Sequence, residues 1–177
     1  MQYMEYVKNI ESKIEDLLKP IPHLPNEWRK WLGENAWWLT LLGAILSALG
    51  ILGLGMAILA AFALVGVAAG MMAGVAATAL TGYALLSAAV SVAFMIVSTF
   101  IMFSAVNPLK LGKKQGWDLL FLSYLVGILS SLVNIVLNFS NGTFISGLIG
   151  TAVSAAIGAY VLFEIRSHFI RTSHSQK

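Results

Sequence analysis

Between Asn35 and Leu109 the chain contains no Asp, Glu, Lys, Arg or His. A surface facing water cannot be built over that length without charge. Crossing the bilayer hydrocarbon takes about 20 apolar residues, so this stretch alone holds at least two crossings. Inside hydrocarbon every backbone N–H and C=O must find its partner within the chain, and long apolar runs achieve this as α-helices. Composition agrees, with 58% of residues apolar and 11% charged, against roughly 25% charged in soluble domains. The expected fold is all-α: an integral membrane helical bundle of four transmembrane helices behind an N-terminal amphipathic helix.

The transmembrane domain is expected over residues 26–165, with spans near 36–60, 83–106, 117–138 and 144–163, and a polar tail over 166–177. Between the first two spans lies 61–82, apolar but rich in Gly and Ala. Here Gly66, Gly70, Gly74, Thr78 and Gly82 recur at every fourth residue. As a helix, the row would be a close-packing face of the small-xxx-small kind. Otherwise the glycines permit a tight hairpin or a re-entrant segment. If this segment crossed fully, the count would be five. The turn between the last two spans is read at residues 138–143, where Asn141-Gly142 is the strongest local signal.

Residues 1–19 read as an amphipathic helix, with Tyr3, Val7, Ile10, Ile14 and Leu17 spaced four and three apart,. The opposite face is mixed in charge. Helices that lie on anionic lipid carry a basic face, so this one is expected to pack on another copy or another membrane protein. Pro20, Pro22 and Pro25 end it and form a stiff connector, which suggests that residues 1–25 behave as an independent element. Trp28, Trp31, Trp37 and Trp38 cluster where the chain enters the membrane, and Trp117 opens a later span. The indole prefers the headgroup layer, so all five are read as interface anchors.

Lys and Arg placement sets the orientation. Residues 1–35 hold five, residues 110–114 three and the stretch from Arg166 onward three, while the turn at 138–143 holds none. Four spans put all eleven on one side, which the positive-inside rule makes the cytoplasm. The N-terminus carries charge through Lys19 and does not read as a secretory signal.

Little in the chain suggests chemistry. No ionisable residue falls well inside a span, whereas proton relays, ion-coupled transporters and intramembrane enzymes place such groups in the bundle interior. There is no cysteine, and the basic residues are too sparse for nucleic acid. No enzyme, metal site or cofactor is expected. Asp118 reads as a helix cap paired with Lys114, and Glu164 with His168 and Arg171 as an interfacial ion-pair ladder. Ser130, Asn134 and Asn138 form a polar row suited to interhelical hydrogen bonds, or to lining a path for a small neutral solute. Gly150, Ser154 and Gly158 form a second small-residue face for helix packing.

The stretch Asn107-Pro-Leu-Lys-Leu-Gly-Lys-Lys-Gln-Gly-Trp-Asp-Leu-Leu-Phe, after an Asn35-Ala-Trp-Trp span opening, resembles small uncharacterised bacterial multi-pass membrane proteins with four spans. The resemblance implies a bacterial inner-membrane location and supplies no functional residues. The function expected is association: a scaffold, assembly factor or accessory subunit, with an oligomeric pore or facilitator as the alternative.

Overall fold

A computed structural model describes the backbone over residues 2–70, 75–139 and 144–174, and side chains over 9–61, 63, 86–139 and 144–170. It is an integral membrane helical bundle. The described residues form five helices, α1 (Gln2–Leu18), α2 (Asn26–Gly70), α3 (Val75–Lys110), α4 (Lys114–Leu137) and α5 (Phe144–His174). Four stretches are long and apolar enough to cross a membrane: Asn26–Ala61, Leu86–Lys110, Lys114–Leu137 and Phe144–Ile170.

Prolines set the first boundaries. α1 stops before Pro20, and the Pro25 carbonyl accepts the first helical bond of α2 from Arg29 N at 3.1 Å. α2 then continues unbroken through Gly33. The helix that carries the first span therefore begins at Asn26, ten residues before the span read from the sequence. A fifth span over 61–82 would need a turn at each end. The helix is instead continuous through residue 61 in α2 and through residue 82 in α3. The Gly/Ala-rich segment therefore forms the far ends of two helices. Gly66 and Gly70 lie on α2, Thr78 and Gly82 on α3, and Gly74 lies outside the described residues, so the packing of this row lies outside them too.

α2 and α3 run antiparallel in close contact. A Cβ on Gly43 would lie 2.8 Å from Met102 Cε, and one on Gly50 would lie 2.9 Å from Met95 Cε. Continued at that register, α2 and α3 extend past the end of α4. Ser87 meets Asn138, so the twelve residues of α3 before Ser87 add about 18 Å at 1.5 Å each,.

The corner between α3 and α4 is built by glycine. Gly112 has φ 65°, and its N–H bonds Leu109 O at 2.9 Å while Lys113 N bonds Pro108 O at 2.9 Å. This is a Schellman termination, whose left-handed residue is normally glycine. Gly116 then lets α4 fold back against the chain, since a Cβ there would lie 2.5 Å from Leu109 N and 2.8 Å from the Pro108 carbonyl carbon. Both glycines fall in the Asn107–Phe121 stretch singled out above.

That close approach carries Trp117 inward. Trp117 is 0% exposed and heads a core with Phe121, Phe169, Leu109, Leu162 and Ile165. Its ring stacks on Phe121 at 5.4 Å and meets Phe163 edge-on at 5.5 Å. The expectation that Trp117 anchors the lipid interface is therefore wrong. Its one N–H is satisfied inside the bundle, donating to Leu162 O at 2.8 Å, which removes the reason for the indole to seek headgroups. Trp28, Trp31 and Trp38 are exposed. Trp37 is half-buried beneath Lys110, whose Nζ stands 5.4 Å from the ring centre.

Candidate functional site

The core and nearly all the described charge gather at one end of the bundle. There the start of α2, the end of α3, the start of α4 and the end of α5 meet. Glu164, which directly follows the uncharged run 144–163 of α5, is buried. Its Oε1 contacts His23 Nδ1 at 2.7 Å, and its Oε2 pairs with Arg29 Nε at 2.9 Å and accepts from Leu24 N at 3.3 Å. Arg29 also donates to the Glu164 carbonyl and to Ser167 Oγ. A carboxylate taken out of water needs this many partners, because an unpaired buried charge costs several kcal/mol. The partners come from the proline connector and the first turn of α2.

Two residues further along α5, on the other side of the helix, Arg166 reaches in another direction,. It pairs with Glu11 and, at 3.0 Å, with Glu15, both on α1, while its guanidinium lies 5.5 Å from the Trp117 ring centre. Tyr160 Oη donates to Pro22 O at 2.7 Å. The N-terminal arm therefore wraps the outside of α5, with α1 held by Arg166, the connector by Tyr160, and the entry to α2 by Glu164. Beneath it lies a cavity of about 310 Å³ bordered by Lys19, His23, Arg29 and Arg166. Ile14 packs against the core.

Three sequence expectations change here. Residues 1–25 are not an independent element, because the prolines that break the helix also lay the connector across α5. Glu164 does not form a ladder with His168: its partners are His23 and Arg29, and the His168 ring instead lies against Gly33, where a Cβ would be 2.6 Å away. The side chain of Arg171 lies outside the described residues. The Lys114–Asp118 ion pair forms at 2.7 Å. Asp118 does not cap α4, however, since the helix begins at Lys114 with Lys113 before it and no side-chain cap. Among the described residues no three His, Asp or Glu side chains gather as a metal site would require,.

The polar row of α4 joins α4 to α3. Asn134 Oδ1 accepts from Ser87 at 3.1 Å and from Ser91 at 2.9 Å, and Asn134 Nδ2 donates to the Ser130 carbonyl at 2.9 Å. Asn138 Nδ2 donates to Ser87 Oγ at 3.0 Å and to the Asn134 carbonyl. Nearer the charged end, Ser123 and Ser98 share a hydrogen bond at 2.9 Å. The partners Ser87, Ser91 and Ser98 went unremarked in the sequence, although they recur along one face of α3 at spacings of four and seven.

The last small-residue row divides in its use. A Cβ on Gly158 would lie 2.8 Å from Tyr124, so this glycine admits α4, whereas Gly150 has nothing within 4 Å and Ser154 is exposed. No family model, curated protein or solved structure matches the chain.

Proposed function

We propose that the protein is a non-catalytic multi-pass membrane protein that works by association, as a scaffold, assembly factor or accessory subunit in a bacterial inner membrane. The carrying observation is the arm. α1 is held on α5 by Arg166 while Leu17 is left 74% exposed and Ile10 42% exposed. A short amphipathic helix is marginal alone in water. Here ion pairs fix it in place and leave part of its apolar row facing outward at the membrane surface, which suits a second helix from another copy or another membrane protein. The lipid bilayer is the other constant partner. By the positive-inside rule the charged end, with both termini, faces the cytoplasm. The pore reading draws less support, because the amides of Asn134 and Asn138 are taken up between α3 and α4.

The test separates docking from folding. An Ile10→Asp, Leu17→Asp variant keeps Glu11, Glu15 and Arg166, and changes at exposed positions usually move stability by within about 0.5 kcal/mol. Affinity capture after crosslinking in native membranes should then show loss of the captured partner, with the thermal unfolding of the bundle unchanged. Retention of every captured species by this variant would remove the reading's main support.

A further inference from the structure

α2 and α5 touch at the charged end, where the His168 ring fills the space beside Gly33 and Arg29 reaches Glu164 and Ser167. Deeper in the membrane they part. The gap is a cleft of about 480 Å³, walled by Leu39 and Thr40 of α2 and by Ile157 and Val161 of α5, and floored by Met102 of α3 and Tyr124 of α4. Leu39 and Ile157, on its rim, are exposed, so the cleft opens sideways between the two helices. It lies within the stretches able to cross the membrane. In a bilayer its mouth therefore faces hydrocarbon.

The polar atoms at its floor are already engaged. Ser123 bonds Ser98 at 2.9 Å, and Tyr124 Oη donates to the Ala155 carbonyl at 2.5 Å. A polar solute would find few partners. A second helix, about 10 Å across, could not enter between two helices joined at one end and backed by two more. We infer that this cleft is a binding site for one acyl chain of a membrane lipid, drawn from the leaflet at the charged end. Its volume falls within the roughly 300–1,000 Å³ of ordinary ligand sites. Hydrophobic transfer does not favour the bound chain, since lipid tails are as apolar as Leu. What favours it is contact: lining atoms that face a void lose their dispersion partners on that side. A flexible chain can follow the converging walls where neighbouring protein cannot.

The site is tested with the full-length protein in vesicles of phosphatidylethanolamine and phosphatidylglycerol containing a trace of phospholipid with a mid-chain diazirine. After irradiation and digestion, adducts on Thr40, Met102 and Tyr124 should exceed those on Met56 and Phe100, which lie on the open lipid-facing surface, by several-fold. Val161→Trp should plug the cleft and lower its adducts several-fold without changing those on Phe100. Val161→Phe serves if the larger ring prevents folding. Equal labelling of cleft and open surface, or no effect of either plug, would overturn the site. So would a disulfide between two copies of a Thr40→Cys variant, which would show another chain filling the cleft.

Discussion

Replacing Trp117 with alanine should lower the stability of the bundle by about 3–5 kcal/mol, the usual cost of deleting a large buried aromatic. The indole is 0% exposed, stacks on Phe121, meets Phe163 edge-on, and lies near the cations of Lys114 and Arg166. Removing it opens a void among α3, α4 and α5 and takes away a face of Arg166, which holds α1. The change should appear as a large fall in the midpoint of denaturation in mixed micelles and as faster proteolysis of the arm. Trp117→Phe keeps an aromatic ring but loses the N–H to Leu162 O and part of the buried ring volume, so it should cost less than the alanine change, on the order of 1–3 kcal/mol. Trp28→Ala should move stability by less than about 0.5 kcal/mol, because Trp28 is exposed. Equal losses for Trp28 and Trp117 would mean that Trp117 is an interface anchor after all.

Gly116→Val should also be strongly destabilising. Its Cβ would fall 2.5 Å from Leu109 N and 2.9 Å from Leu109 Cα, so the clash is with backbone and no side chain can swing away. Overpacking typically costs roughly 1–3 kcal/mol and sometimes more. A site against backbone belongs at the upper end or beyond, because α3 and α4 must separate and take Trp117 with them. Gly127→Val is the matched control on the same helix, since nothing lies within 4 Å of the Cβ that Gly127 lacks. Denaturation midpoints should fall sharply for the first variant and stay near the parent for the second. Similar midpoints for both would show that the α3–α4 corner is looser than Gly116 requires.

The helices were legible in the sequence because their causes are local. Absence of charge marks the spans, and prolines mark the end of α1 and the start of α2. The Ser130–Asn134–Asn138 row was legible for the same reason, since four-residue spacing places three polar groups on one helix face. What could not be read is what depends on distant residues meeting. His23 and Glu164 lie far apart in sequence, and nothing near either one signals the other. Glu164 with His168 four residues later was the local reading, but a buried carboxylate takes the partners that reach it, and these came from the connector. Trp117 was misread because the same residue type serves at the interface and in the core. The deciding signal was its neighbour Gly116, which has meaning only once α3 is known to fold back onto it.

The arrangement rests on α1, the Lys110–Lys114 corner and the end of α5 sharing one face of the membrane, with the α4–α5 turn on the other. The chain has no cysteine, so single cysteines can be placed without other changes. The most direct measurement is labelling of Leu17→Cys, Lys113→Cys and Phe139→Cys, all exposed positions, with a membrane-impermeant maleimide in right-side-out and inverted vesicles. The expected result is that Leu17→Cys and Lys113→Cys react only in inverted vesicles and Phe139→Cys only in right-side-out ones. Reaction of Leu17→Cys and Lys113→Cys from opposite faces would contradict the four-span bundle and the clasp of the arm around α5.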